Sequence, residues 1–188
     1  MDNPYAPPRA ALETPLAGEA RQDAERVRRS HLKHEASVRA VGTLYLLNGV
    51  MLGVLALVMF GMAITIITSG EGAGEAGLSV LIGIGYGLLA ALTFWIGRGL
   101  RRLDPGIKLA ATLLTCLSLL SIPVGTVIGA YILWLLHSRK GARVFAPDYR
   151  DIVAATPDIV YRTSPLVIGL VVLLVLAALL GVLFVVAA

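Results

Sequence analysis

The chain has 188 residues, of which 57% are hydrophobic and 15% are charged, with a formal net charge of +4. Its mean hydropathy of +0.81 excludes an ordinary soluble domain, because too few polar side chains are present to cover the surface of such a fold. The charged residues all lie outside four long apolar stretches, a pattern that indicates membrane insertion rather than nucleic-acid binding. We therefore expect an all-α, polytopic transmembrane helix bundle with four to five crossings, whose partners are the lipid bilayer and not nucleic acid.

The polar N-terminal part is predicted to contain a Pro-rich disordered tail at residues 1–17 and a polar cytoplasmic helix at residues 18–40. Three prolines among residues 4–8 oppose helix and sheet alike. Further on, Glu25 with Arg29 and Glu35 with Arg39 are four residues apart in the order that stabilises an exposed helix. We expect this helix to be solvated.

Residues 41–188 are predicted to form the transmembrane domain, and three of its spans are clear: about 41–67, 77–97 and 165–188. The loop at 69–76 between the first two spans carries two acids and no base. The second span ends in Arg98, Arg101 and Arg102, and Asp104-Pro105-Gly106 then predicts a turn.

The stretch from Leu109 to Leu136 has two interpretations, because its 28 uncharged residues are interrupted by Pro123 and Gly125. It could be one helix kinked at Pro123, which gives four crossings. It could also be a tight hairpin with arms at about 107–122 and 123–138, which gives five. Each arm of the hairpin would be roughly 25 Å long, just inside the range that spans a membrane.

Charge asymmetry favours the hairpin. The five bases among residues 26–39 place the N-terminus in the cytoplasm, so that the acidic 69–76 loop lies outside and the arginines after the second span lie inside. The segment 138–164 carries five more bases, and only a hairpin returns it to the cytoplasm. This orientation and composition indicate a multi-pass protein of the bacterial inner membrane.

The loop between Lys140 and Ser164 is predicted to contain a short interfacial helix near residues 147–155. Tyr149, Ile152 and Val153 fall on one helical face, next to membrane-proximal bases. An apolar face beside basic residues is typical of a helix that lies in the membrane interface.

The region 98–170 resembles a family of uncharacterised small multi-pass bacterial membrane proteins. The resemblance rests on PVGT at 123–126, AYILWLL at 130–136, Lys140-Gly141, Phe145, Asp148-Tyr149 and AATPDIVYRTS at 154–164. It implies a membrane location and a shared architecture, and no activity.

Chemistry-bearing residues are sparse. No acid, base or histidine falls within a predicted span, apart from Lys108 and His137 at the ends of the hairpin arms. No motif for a catalytic, cofactor-binding or metal site is present, so that we expect neither an enzyme nor a cofactor. His31 and His34 could suit a metal but lack a third ligand nearby. Cys116 alone cannot form an internal disulfide, and we expect it to be a small buried side chain. Asn48 is the one polar span residue that could line a path, together with Thr43, Thr65, Ser79, Thr93, Thr112, Thr115, Ser118, Ser121 and Thr126.

Small residues four apart predict close helix packing. The candidate positions are Gly49 with Gly53, Gly83 with Gly87, Gly125 with Gly129, and Ala177 with Gly181. These pairs favour a tightly packed bundle that acts through interaction, as an accessory or scaffold subunit bound to another membrane protein or to further copies of itself. The alternative is a small channel or transporter with a path lined by Asn48 and the Thr and Ser residues.

Overall fold

The computed structural model describes residues 15–70 and 72–161, and every regular element within them is an α-helix. In chain order these are α1 (Pro15–Ser69), α2 (Ala73–Arg101), α3 (Ile107–Ser118), α4 (Val124–His137), α5 (Arg139–Val144) and α6 (Tyr149–Ala155). The predicted all-α class is confirmed for this part of the chain. The predicted tail, apart from the backbone of 15–17, and the predicted span at 165–188 lie outside the described residues.

Two of the described helices, α1 and α2, are long and apolar enough to cross a membrane. At 1.5 Å per residue α1 is about 80 Å long and α2 about 44 Å, against a hydrocarbon core of about 30 Å. The polar segment predicted at 18–40 and the span predicted at 41–67 are thus one continuous 55-residue helix. Gly70 joins it to α2 with a φ of +76°, which a side chain would disfavour.

The α1 and α2 helices pack as an antiparallel pair along a line of small residues. A Cβ atom on Gly97 would lie 2.7 Å from the carbonyl oxygen of Gly42, and one on Gly49 would lie 3.2 Å from that of Ala90. The small residues of this seam recur every seventh position, at Gly42, Gly49, Ala56 and Ala63 on α1 and at Ala76, Gly83, Ala90 and Gly97 on α2. A seven-residue repeat keeps one face of each helix toward its partner, so the two backbones can approach closely along the whole pair.

The α3 and α4 helices form a hairpin, and the single kinked helix is wrong. Helix α3 stops at Ser118 and α4 starts at Val124. A Cβ on Gly125 would collide with the carbonyl oxygen of Ser118, and one on Gly129 would lie 3.3 Å from that of Thr115. The arms are shorter than the predicted 107–122 and 123–138: their 12 and 14 residues correspond to about 18 and 21 Å.

The predicted solvated helix is wrong for one face of α1. Val38 is fully buried, and it lies in one apolar core with Ile96 and Leu100 of α2, Leu135 of α4 and Tyr149 of α6. We call residues 15–39 of α1 together with α5 and α6 the polar cap. Within the cap, α5 and α6 fold back onto α1 and enclose this core.

The predicted short helix near 147–155 is present as α6, but its apolar face does not lie free for a membrane interface. Tyr149 is fully buried, and Ile152 and Val153 pack against the same core. Contacts of Tyr149 with Glu35, of Val153 with Arg28 and of Asp158 with Arg21 show that this segment runs antiparallel to α1. The apolar face is therefore used to bind α1.

Candidate functional site

The most unusual feature of the described chain is a carboxylate buried in the polar cap. Glu35 is 2% exposed, and three donors surround it. Its Oε1 lies 2.9 Å from Nη2 of Arg39, one helical turn further on, and its Oε2 lies 3.5 Å from Nε of Arg28. The hydroxyl of Tyr149 donates to Oε2 at 3.1 Å. A buried carboxylate is tolerable only with such partners, because an unpaired charge would be strongly destabilised by the loss of water.

Arg28 connects this carboxylate to the far end of α6. It is 4% exposed, and its Nη1 donates to the carbonyl oxygen of Thr156 and, at 3.0 Å, to the hydroxyl of the same residue. A third, longer contact of 3.3 Å reaches the carbonyl oxygen of Val153. The last carbonyls of a helix lack partners within the helix, so a guanidinium group is a suitable cap for them.

A second buried contact joins α1 to the end of α4. His34 is 8% exposed, and its Nε2 lies 2.9 Å from the carbonyl oxygen of Leu135 and 3.4 Å from the hydroxyl of Ser138. Burial lowers the pKa of His34, an effect that the hydrogen bond to Leu135 opposes and the positive charge of Lys140 reinforces. A neutral ring that donates from Nε2 fits this environment.

Tyr149 acts in this arrangement as a hydrogen-bond donor to Glu35. Burial, and next the negative charge of Glu35, raise the pKa of Tyr149 above its usual range, so the phenol keeps its proton near neutral pH. Both guanidinium groups remain charged. We name Glu35, Arg28, Arg39 and Tyr149 the Glu35 cluster. Its physical effect is to fix α6 in register on α1.

From the sequence, Glu35, Arg28 and Arg39 were predicted to lie on a solvated helix, and Tyr149 on an interfacial helix. Glu35 and Arg39 do form the expected ion pair, as do Glu25 and Arg29 at 3.6 Å. However, the ion pair with an i+4 arginine does not by itself distinguish Glu35 from Glu25. The sequence feature that could have separated them is the apolar residue Val38 three positions later, which places Glu35 on the core face of α1.

Most of the polar residues that were predicted to line a path lie on the surface of α1 or donate hydrogen bonds within their own helices. Asn48 is exposed on the surface of α1. Several hydroxyls instead donate to carbonyls of their own helix: those of Thr43, Thr65, Thr93, Thr112, Thr115 and Ser118. Donation to a carbonyl of the same helix satisfies the O–H group of each of these residues.

In two of the predicted glycine pairs only one glycine contacts a neighbouring helix, whereas in the pair Gly125 and Gly129 both do. Gly49 faces Phe94 and Thr93, Gly83 faces Met59, and both Gly125 and Gly129 face α3. A Cβ on Gly53 or Gly87 would instead meet nothing within 4 Å. Sequence reasoning missed Gly42, Gly97 and Gly141, whose added Cβ atoms would each lie within 3 Å of a backbone atom. The pattern that would have found the first two is the seven-residue repeat of small residues.

The remaining predicted residues do not assemble into a site. The rings of His31 and His34 bind different partners, the carbonyl oxygens of Val27 and Leu135. The prediction that Cys116 is buried is wrong, since the residue is exposed on α3. The described residues hold no group of three or more potential metal ligands.

Comparison with known proteins adds no identification: no family model, no curated protein and no solved structure matches this chain. The resemblance of residues 98–170 to a bacterial membrane family therefore stays a prediction.

Proposed function

We propose that this chain is a membrane-embedded interaction subunit of the bacterial inner membrane, bound through α1 and α2 to another membrane protein or to a further copy of itself. In this proposal α1 and α2 cross the bilayer, the α3–α4 hairpin enters it from the cytoplasmic side, and the polar cap stands in the cytoplasm.

The observation that carries the proposal is the surface of the α1–α2 pair. Large apolar side chains point outward along both helices, for example Leu57 (71% exposed) on α1 and Leu88 (68% exposed) on α2. A water-soluble surface rarely exposes so many apolar side chains together, so lipid or protein must cover them. Asn48 is also exposed on α1, one turn from the exposed Leu44. An amide that faces hydrocarbon without a partner is costly, and a hydrogen bond to a neighbouring protein helix removes that cost.

The polar cap supports the same interpretation. The Glu35 cluster holds α6 on α1, and the ion pair between Asp104 and Arg150, at 3.0 Å, holds α6 on the turn between α2 and α3. A partner in the membrane or in the cytoplasm would therefore meet a preformed surface, which lowers the entropic cost of binding.

The first test concerns topology. Cysteines at Ser30 and Ala73 are labelled with an impermeant maleimide in cells with a permeabilised outer membrane, in a background without Cys116. We expect labelling at position 73 and protection at position 30. Labelling at position 30 instead would reverse the orientation, and recovery of the protein in the soluble fraction after alkaline carbonate extraction would refute the membrane location.

The second test concerns interaction. Copies that carry donor and acceptor fluorophores are reconstituted at low density, and bound proteins are identified by mass spectrometry after purification in mild detergent. Asn48→Leu should weaken energy transfer or remove a co-purified protein, whereas the control Thr65→Val, also on the exposed surface of α1, should not. Solute flux through vesicles that Asn48→Leu alters, without any change in association, would favour a channel instead.

A further inference from the structure

The bases of the described chain fall into two groups that differ in position and in pairing. The bases of the first group lie near carboxylates: for example, Arg21 and Arg29 lie within 3.6 Å of Glu25, and Arg150 lies 3.0 Å from Asp104. The second group has no described carboxylate within salt-bridge distance. It comprises Arg98, Arg101 and Arg102 at the end of α2, Lys108 in α3, Arg139 and Lys140 at the start of α5, and Lys33 on α1.

The fold brings this second group to the same end of the α1–α2 pair, spread over about 14 Å along α1 between Lys33 and Gly42, although its members come from more than one hundred residues of sequence. Arg101 packs beside Gly42, where the apolar part of α1 begins. The α4–α5 junction meets α1 at His34, through Leu135 and Ser138. Lys108 follows the α2–α3 turn, where Ile107 joins the same core as Leu135. We name these seven unpaired bases the basic belt.

We propose that the basic belt binds the headgroups of anionic phospholipids, at the membrane face where the apolar parts of α1 and α2 end. The proposal rests on the membrane location proposed above and adds a ligand to it.

Charge complementarity selects this ligand. Asp104, which lies in the turn between Arg102 and Lys108, already binds Arg150. The belt therefore keeps its positive charge, and several bases at a membrane surface attract anionic lipid with about 1 kcal/mol each, or roughly fivefold in binding per base. Arginine forks also match the geometry of a phosphate group.

Position favours a lipid over a free anion. The belt lies directly beyond apolar side chains that are themselves exposed, such as Trp95 (59%) one turn before Arg98 and Trp134 (63%) shortly before Arg139. Tryptophan near a ring of bases is typical of the membrane–water interface. A lipid would contact both features together, its acyl chains along the exposed apolar surface and its headgroup at the bases.

The two tryptophans of the chain provide the test, since both lie next to the belt. The full chain is reconstituted in vesicles in which either phosphatidylglycerol or phosphatidylcholine carries brominated acyl chains, which quench nearby tryptophan fluorescence. We expect stronger quenching by the anionic lipid at equal mole fraction. Equal quenching by the two lipids would overturn the proposal.

Matched variants distinguish lipid binding by the basic belt from a general effect of the net charge of the protein. The triple variant Arg98→Gln, Arg101→Gln, Arg102→Gln should lose the selectivity, by up to about fivefold for each contact removed. The control Arg21→Gln, Arg26→Gln, Arg29→Gln loses the same charge in the polar cap and should retain it. Lysine in place of Arg98, Arg101 and Arg102 should also retain the selectivity. A loss in the glutamine variant alone would then come from lost binding and not from lost folding. Selectivity that survives in the glutamine variant of the belt would refute the assignment.

Two further outcomes are distinct. If inorganic phosphate alone abolishes selective quenching at concentrations that leave ionic strength unchanged, the belt binds a free anion and the lipid proposal is wrong. If the protein is not retained in carbonate-washed membranes, the proposed function itself fails, whatever the quenching shows.

Discussion

Neutralising Glu35 should destabilise the protein far more than neutralising Glu25 on the same helix. The Glu35→Gln change leaves Arg28 charged and 4% exposed, since a guanidinium group does not lose its proton in a protein. Removing one member of a buried pair costs about 3–5 kcal/mol, because the remaining charge has no counter-ion. Glu25 makes similar contacts to Arg21 and Arg29 at 3.4 and 3.6 Å, but its side chain is 28% exposed. Each exposed helix pair contributes about 0.3–0.5 kcal/mol, so Glu25→Gln should cost less than about 1 kcal/mol.

The assay is the free energy of unfolding, measured by urea titration in mild detergent and followed by circular dichroism. Limited proteolysis between α5 and α6 gives a local measurement, and this segment should become sensitive in Glu35→Gln alone. Adding Arg28→Met removes the orphaned charge, so the double variant should lose less stability than the sum of the two single variants. Equal losses for Glu35→Gln and Glu25→Gln would refute the reasoning, since they would mean that burial does not distinguish the two carboxylates.

The remaining predictions concern packing, pH and topology. Gly97→Ala should destabilise the α1–α2 pair by about 1–3 kcal/mol, because the added Cβ would meet the backbone of α1. Gly87→Ala, whose Cβ would meet nothing within 4 Å, should be neutral or stabilising by up to about 1 kcal/mol. Thermal unfolding compares the two variants. The pKa of His34 is lowered from 6.5, so the stabilising contribution of this residue is present above that pH and is lost as the pH falls. The thermal midpoint of His34→Gln should therefore vary less than that of the wild type between about pH 5 and pH 7.5. The pKa of Tyr149 is raised from 10.0, so its contribution is lost as the pH rises above about 10, and Tyr149→Phe should unfold with a flatter alkaline profile. Alkaline phosphatase fused after Gly141 should be inactive, and activity there would place the polar cap outside the cytoplasm.

Local pattern was sufficient for α1 to α4 and α6 and for their approximate ends, whereas α5 was not predicted. The apolar runs predicted α1 and α2, since a helix must satisfy its own backbone wherever water is excluded. Asp104-Pro105-Gly106 predicted the turn after α2, in which the backbone N–H of Gly106 donates to Oδ1 of Asp104 at 3.0 Å. Pro123 and Gly125 predicted an interruption that could be a kink or a hairpin, and the charge asymmetry of the flanking segments favoured the hairpin.

Contacts between helices that are distant in sequence could not be predicted from local pattern. Periodicity shows that a helix has an apolar face but does not identify the surface it meets, so the face of α6 was assigned to a membrane when its partner is α1. Glu25 and Glu35 have the same i+4 arginine, and the packing of α6, more than one hundred residues later, buries Glu35. The sequence by itself determined which segments are helical and which are apolar. The tertiary structure decided which charges are buried and which remain free, because burial depends on contacts between residues distant in sequence.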